Sequence, residues 1–304
     1  MKNRPERQAL LDVQEYFSLP SAALVEKDWH VVQALAAIHD AASDGLTLAF
    51  GGGTALGRAY GLLQRMSEDI DLRVISEAKP SRPALKRLRR QVSDRLREIG
   101  FAVDDEHIKV QHSDTYVRYD LPYAPIMQGE GVLRPEIKIE ISAFPTRRPL
   151  VDRAVTSFVA EANKAEAEIP NIACVNLVEI AAEKFVALTR RSGAAFAGIE
   201  TLDSTLPRHV YDLSRLEDHY DAEDAARLAL ETMNDDAATR GGDFPAYQAD
   251  PLAETLRAVE AMAGDRAFAA DYSRLMDAMV YGERPAFNDA MAVVRGLADR
   301  VAAV

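Results

Sequence analysis

Apolar residues that alternate at period two, as strands require, are confined to the part of the chain before about residue 175; from residue 176 onward they recur at helical spacing almost to the end. A chain divided in this way cannot be one repeating βαβ sheet. It calls for a mixed sheet with accompanying helices, followed by a helical bundle, an α+β arrangement. Strand patterns fall at LTLAF (46–50), DIDLRVI (69–75), FAVDDE (101–106), HIKVQHS (107–113), TYVRYDLPY (115–123) and PEIKIEISAF (135–144). Helical patterns precede or separate them at 5–17, 22–42 with Ser21 as N-cap, 54–66, and 83–100, where Gly100 stops a strongly basic helix. The expected domains are 1–165, holding the sheet and the N-terminal helices, and 166–304, the bundle; 304 residues with 48% hydrophobic content suffice for two cores.

Composition closes off several classes. The opening MKNRPERQALLDVQEYF is charged throughout, unlike a signal peptide, and no run of about 18 uncharged apolar residues exists to cross a bilayer, so a cytoplasmic protein without a membrane partner is expected. A single cysteine, Cys174 in NIACVNLV, excludes an internal disulfide and a CxxC metal cage and reads as a buried structural thiol. His107 and His112 have no cysteine partners at zinc-ligand spacing. The net charge of −12 is uneven: residues 46–100 carry 11 Lys/Arg against 6 Asp/Glu, whereas residues 216–304 carry 8 against 18. An anionic partner is therefore admissible at the central segment only.

The chemistry concentrates in GGGTALGRAYGLLQRMSEDIDL, residues 51–72. On a strand, positions i and i+2 share a face, so Asp69 and Asp71 present carboxylates about 6–7 Å apart while Ile70 and Leu72 turn to the core. Paired carboxylates suit divalent metal, and two Mg²⁺ ions about 4 Å apart would serve phosphoryl or nucleotidyl transfer. Gly51, Gly52 and Gly53 let backbone N–H groups approach a phosphate chain, with a helix N-terminus at Thr54 behind them. A Walker A loop is excluded because Arg58 and Ala59 follow Gly57, and a dinucleotide fingerprint fails at Leu56. A third acid is available from PEIKIEIS, where Glu136, Lys138 and Glu140 share one strand face and Glu140 is the best placed.

GGTAL followed by RMSEDIDL resembles the signature of the DNA polymerase β nucleotidyltransferase superfamily. More narrowly, VEKDWHVVQAL (25–35), FGGGTALGRAYGL and RMSEDIDLRV (50–74), IKIEIS (137–142), EIAAEKFVALTRR and PRHVYDLSRL (179–216) are similar, in order, to the AbiEii toxins of type IV toxin–antitoxin systems. The resemblance implies a polymerase-β-like nucleotidyltransferase domain in which Asp69 and Asp71 match the metal-binding pair and Glu140 the third acid. It implies that Lys184 reaches a nucleotide phosphate, that Asp212 orients Lys184 or assists proton removal, and that Thr54, Arg65 and Ser67 join Gly52 and Gly53 around the phosphates. One departure stands in RHVYDL: the family's usual Arg-Asp-x-x-Asp has His209 in place of its first acid, while Asp212 is kept. On its own neighbours Lys184 is an ordinary helix lysine, with no carboxylate three or four residues away.

The implied activity is transfer of a nucleoside monophosphate from an NTP to a macromolecular acceptor, tRNA first among them, with a separately encoded antitoxin as partner. Protein hydroxyls or a small molecule are alternative acceptors, and a catalytically silent nucleotide-binding module is the alternative outside enzymes. The basic helix bearing Lys86, Arg87, Arg89, Arg90, Arg95 and Arg97 is either an RNA-docking face or a solvated surface; reversing Arg89 and Arg90 to Glu tests which. The acidic C-terminal helices, including Met262, Met276 and Met279, read as core packing alone.

Overall fold

The computed structural model describes residues 4–127, 133–240 and 243–304, which fall into two units, Met1–Val175 and Asn176–Val304. The first unit runs α1 (Arg7–Tyr16), α2 (Ala22–Ile38), β1 (Thr47–Gly51), α3 (Gly52–Arg58), β2 (Asp69–Ile75), α4 (Arg82–Glu98), β3 (Ile108–Gln111), β4 (Tyr116–Pro122), β5 (Glu136–Ser142), β6 (Val151–Val155), α5 (Phe158–Ala162) and β7 (Ile169–Cys174). Its seven strands form one sheet in the order β3-β4-β5-β2-β1-β7-β6. The sheet is mixed: β2 lies parallel to β5 and β1 parallel to β7, and the other neighbours are antiparallel.

Alternation along β2, β4 and β5 sends Ile70, Leu72, Val74, Val117, Tyr119, Leu121, Ile137, Ile139 and Ile141 into one core. There they meet Val31, Val32, Leu35 and Ile38 of α2 and Leu85, Leu88, Val92 and Leu96 of α4. Ser21 caps α2 by accepting from the Ala23 amide, and Ser81 caps α4 by accepting from that of Ala84. The opposite face of β2, β4 and β5 carries the polar residues and is half-buried.

Several local expectations give way. The helix expected at 54–66 ends at Arg58, and residues 59–68 run as irregular chain through Gly61, which sits at φ +68°. FAVDDE is not a strand; Asp105–His107 is a single 3₁₀ turn. HIKVQHS keeps strand form only over Ile108–Gln111, because His112, Ser113 and Asp114 all take left-handed φ, near 48°, 60° and 69°. Strands β6 and β7 with α5 between them were not expected at all.

The elements of the second unit, among its described residues, are helices: α6 (Leu177–Phe196), α7 (Pro207–Leu216), α8 (Ala222–Arg240), α9 (Pro245–Ala249), α10 (Pro251–Gly264), α11 (Arg266–Met279) and α12 (Phe287–Ala303). Asn176 caps α6, and that helix packs against α7, α8 and α10. Met262 and Met276 are buried in this core. Among the described residues, no helix is long and apolar enough to cross a membrane.

Candidate active site

The parallel register of β2 on β5 sets Asp69 opposite Lys138 and Asp71 opposite Glu140. Because the two strands are also in phase, Asp69, Asp71, Lys138 and Glu140 all rise from the polar face, with Ile70 and Ile139 directed into the core. Lys138 Nζ lies between two of the acids, 3.0 Å from Asp69 Oδ2 and 3.2 Å from Glu140 Oε1. Burial works to lower the Lys138 pKa, but Asp69 and then Glu140 outweigh it and hold the ammonium above the ordinary lysine range. Tyr116 on β4 completes the rim; its hydroxyl is pushed up to about 12, first by burial and then by the charge of Glu140, to which it is hydrogen-bonded.

The glycine turn closes on the same acids. Gly51, the last residue of β1, is registered with Asp71. Gly52 follows at φ +69°, and a Cβ there would lie 1.8 Å from Asp71 Oδ2 and 2.9 Å from Asp71 Cβ, so only glycine fits. A Cβ on Gly53 would fall 2.8 Å from Ser67 Oγ and 2.9 Å from a terminal nitrogen of Arg65. The Thr54 hydroxyl donates to the Asp69 carbonyl, and the buried Arg65 guanidinium donates to the Met66 carbonyl at 2.8 Å. Gly52, Gly53, Thr54, Arg65, Ser67, Asp69, Asp71 and Glu140 are thus gathered around the inner strands β1, β2 and β5. The helix behind the turn begins at Gly52 and has seven residues, shorter than expected, so any anion grip rests on backbone N–H groups and Arg65 more than on a helix dipole.

Behind the turn stands a set of buried charges whose roles the sequence reading did not find. Glu26, Lys27 and Asp28 are consecutive on α2 and each is at most 3% exposed. Lys27 pairs with Glu68 at 2.8 Å and donates to the carbonyls of Arg134 and Glu136, tying the residue before Asp69 to the start of β5. Asp28 pairs with Arg58 at 2.7 Å and accepts from the Phe158 amide, while the Arg58 guanidinium lies 3.4 Å from the centre of the Phe158 ring. Burial raises the Asp28 carboxyl pKa although Arg58 opposes it. Glu26 accepts from the amides of Ile126 and Met127. Three charges in a row inside an otherwise apolar helix were the available signal, since buried charges occur only when paired.

In the second unit, the Lys184 ammonium on α6 donates to Asp212 Oδ2 on α7 at 2.7 Å, and the Asp212 side chain has no exposure. This ion pair is therefore made between helices, α6 to α7. His209, one turn before Asp212, is buried as well.

Other candidates resolve differently. Most of the basic helix is internally neutralised: Arg87 pairs with Asp44, Arg89 and Arg82 with Asp114, Arg95 with Asp40 and Arg97 with Asp94. Lys86 and Arg90 are exposed and make no such pair among the described residues. Cys174 is fully buried, which pushes its thiol up to about 12 and makes it inert. Asp104, Glu106 and His107 bring ligand atoms within 4.8 Å of one another at the surface, but His107 Nδ1 already accepts from the Asp104 amide.

A mixed sheet bearing three carboxylates against a glycine turn, with a helical C-terminal part, is the frame of a nucleotidyltransferase, and comparison with known proteins agrees. Residues 33–293 match the profile described as nucleotidyl transferase AbiEii toxin, type IV TA system, and the chain belongs to this family of toxins. Its fold is similar to that of MenT4, a nucleotidyltransferase toxin of Mycobacterium tuberculosis, with TM-score 0.59 and 16% identity over 97% of this chain and 90% of that one. No curated protein matches the sequence.

Proposed function

We propose that this toxin moves a nucleoside monophosphate from an NTP onto tRNA, with Asp69, Asp71 and Glu140 as the metal platform. The observation that supports it most is the packing of Gly52 against Asp71, which brings the phosphate-approach turn and the acids to one place. The donor set fits Mg²⁺: three carboxylates on adjacent strands offer hard oxygen ligands on a half-buried face. A divalent cation held there supplies charge neutralisation on the triphosphate and activation of the acceptor hydroxyl.

In the transfer, an acceptor oxygen forms a bond to the α-phosphorus, the bond to the β-phosphate bridging oxygen breaks, and pyrophosphate leaves while the acceptor proton passes to solvent. The Gly52–Gly53 amides and Arg65 hold phosphate oxygens, with Thr54 and Ser67 shaping the turn. Lys184, in the second unit, is read as a phosphate-contacting cation from its match to the family's helical motif. Asp212 orients it, a role favoured over proton removal because its carboxylate is wholly buried and already bonded to Lys184. The internal neutralisation of the basic helix leaves Lys86 and Arg90 as its RNA contacts, and it favours keeping protein acceptors as a second reading.

The test incubates the purified chain and Mg²⁺ with each α-labelled NTP and total tRNA, against an Asp69→Ala/Asp71→Ala control. Label on tRNA with the wild type alone is expected; label on protein instead selects the second reading, and NTP binding without any transfer refutes both.

A further inference from the structure

The two sides of the sheet divide its basic residues. Helix α4 packs Leu85, Leu88, Val92 and Leu96 on the apolar face, so its cations stand on the far side of β2 and β5 from Asp69, Asp71 and Glu140. Cations beside the reacting centre must come from the polar face itself. Register supplies a row across that face: Gly51 on β1 faces Asp71 on β2, Asp71 faces Glu140 on β5, Glu140 faces Arg118 on β4, and Arg118 faces Lys109 on the edge strand β3. Directly opposed residues on antiparallel neighbours have Cβ atoms about 5 Å apart, so Arg118 is the first residue past Glu140 on the side away from the glycine turn.

Arg118 and Lys109 share one carboxylate. Arg118 Nε donates to Asp120 Oδ1 at 2.8 Å and Lys109 Nζ lies 3.4 Å from Asp120 Oδ2, which leaves the trio with net positive charge. Only the Nε of Arg118 is engaged; its terminal amino groups have no partner among the described residues, and the side chain is 32% exposed. The bond at Nε orients the guanidinium plane and leaves its fork for a bidentate anion such as a phosphate. In displacement at phosphorus, the entering and leaving oxygens stand on opposite sides. The glycine turn, read as the grip on the departing pyrophosphate, flanks Asp71 from β1, whereas Arg118 flanks Glu140 from β4. We propose that Arg118, with Lys109 behind it, binds a backbone phosphate of the acceptor tRNA and so holds the acceptor across the acids from the NTP's pyrophosphate. This placement rests on the reading of the chain as an NTP-dependent transferase to tRNA. Asp120 is a positioning residue: it holds Arg118 and does not itself meet the phosphate.

The experiment measures tRNA affinity against salt concentration, with Mg²⁺ and without NTP, and the KM for tRNA and for NTP in the transfer assay. Arg118→Gln should weaken tRNA binding about tenfold and make the slope of log affinity on log salt shallower by about 0.7–0.9, the share of one phosphate, with the KM for NTP unchanged. Arg118→Lys, which keeps the charge without the fork, should keep the slope and recover part of the affinity. Lys109→Gln should weaken binding about threefold and flatten the slope in the same direction. Lys109 lies exposed on the edge strand, so should Arg118→Gln fail to fold, Lys109→Gln decides by the same measures. Unaltered tRNA affinity and slope, while the unsubstituted chain still labels tRNA, overturn this inference alone. A raised KM for NTP with tRNA binding unaltered also overturns it, since the phosphate held is then the donor's. No label on tRNA from the unsubstituted chain overturns it together with the tRNA reading beneath it.

Discussion

Replacing Gly52 by alanine separates two effects that usually travel together, backbone strain and displacement of a reactive group. At φ +69°, any residue with a Cβ is strained by about 1–2 kcal/mol. Gly45, at φ +76° with nothing within 4 Å of a built Cβ, carries the same strain and nothing else, which makes Gly45→Ala the control. At Gly52 the new methyl would also stand 1.8 Å from Asp71 Oδ2, 2.6 Å from Cγ and 2.9 Å from Cβ. Turning the Asp71 side chain to another rotamer relieves the first two contacts but leaves the last, so the backbone of the turn or of β2 must move. Forced overpacking of this kind costs about 1–3 kcal/mol more. Displacing a positioned carboxylate by several tenths of an ångström to 1 Å slows a reaction by about 100-fold. Urea unfolding and label transfer are measured on both variants. Gly45→Ala should lose about 1–2 kcal/mol and keep the wild-type rate, whereas Gly52→Ala should lose about 2–5 kcal/mol and transfer about 100-fold more slowly. If Gly52→Ala matches Gly45→Ala in both measurements, the turn does not position Asp71 and the geometric argument for the site fails.

Lys27→Met removes the cation that neutralises Glu68 and satisfies the carbonyls of Arg134 and Glu136, and should lower stability to urea by about 2–4 kcal/mol; a loss under about 0.5 kcal/mol would remove Lys27 as the anchor of β2. Asp212→Asn leaves the Lys184 ammonium buried without its counter-charge and should cost about 2–4 kcal/mol, while Lys184→Met/Asp212→Leu should cost less than the single change; the reverse order refutes the pair as a coupled unit. His30 is neutral in the fold, its pKa lowered to about 3 by burial and then by the positive charges of Arg4 and Lys27. The unfolded histidine titrates near 6.5, so stability is complete above that pH and falls as pH drops from there towards 3. His30→Phe should flatten this decline by on the order of 1 kcal/mol per pH unit between pH 6 and 4, and equal slopes in urea unfolding would refute the assignment.

What could be read from the sequence follows from which interactions are local. Period-two alternation in DIDLRVI and EIKIEIS fixes the facing of Asp69, Asp71, Lys138 and Glu140 because each strand carries its own pattern. The caps at Ser21 and Ser81 are equally local. By contrast β7, IPNIAC, buries its ends and exposes Pro170 and Asn171 between them, so it lacks the alternation that would announce a strand; its parallel partner β1 is more than a hundred residues away. The loss of helix after Arg58 also has a distant cause, since Arg58 is held by Asp28 and stacked on Phe158 and the chain beyond it must reach Glu68's partner, Lys27.

The active-site face shows the same division at its sharpest. The strand pattern alone makes Lys138 one more solvent-facing residue between two glutamates. Only the register, Asp69 opposite Lys138 and Asp71 opposite Glu140, turns it into the cation between two carboxylates. A shift of one residue along β5 would point Ile137 and Ile139 at Asp69 and Asp71 and bury Lys138 and Glu140 in the core, so the apolar face enforces the charged one. A two-residue shift keeps the facing but takes Lys138 from its place opposite Asp69 and sets Glu136 or Glu140 there instead. The packing of Ile70 and Ile139 and the pairing of Asp69 with Lys138 therefore select one register in common. The placement of the carboxylates needs both.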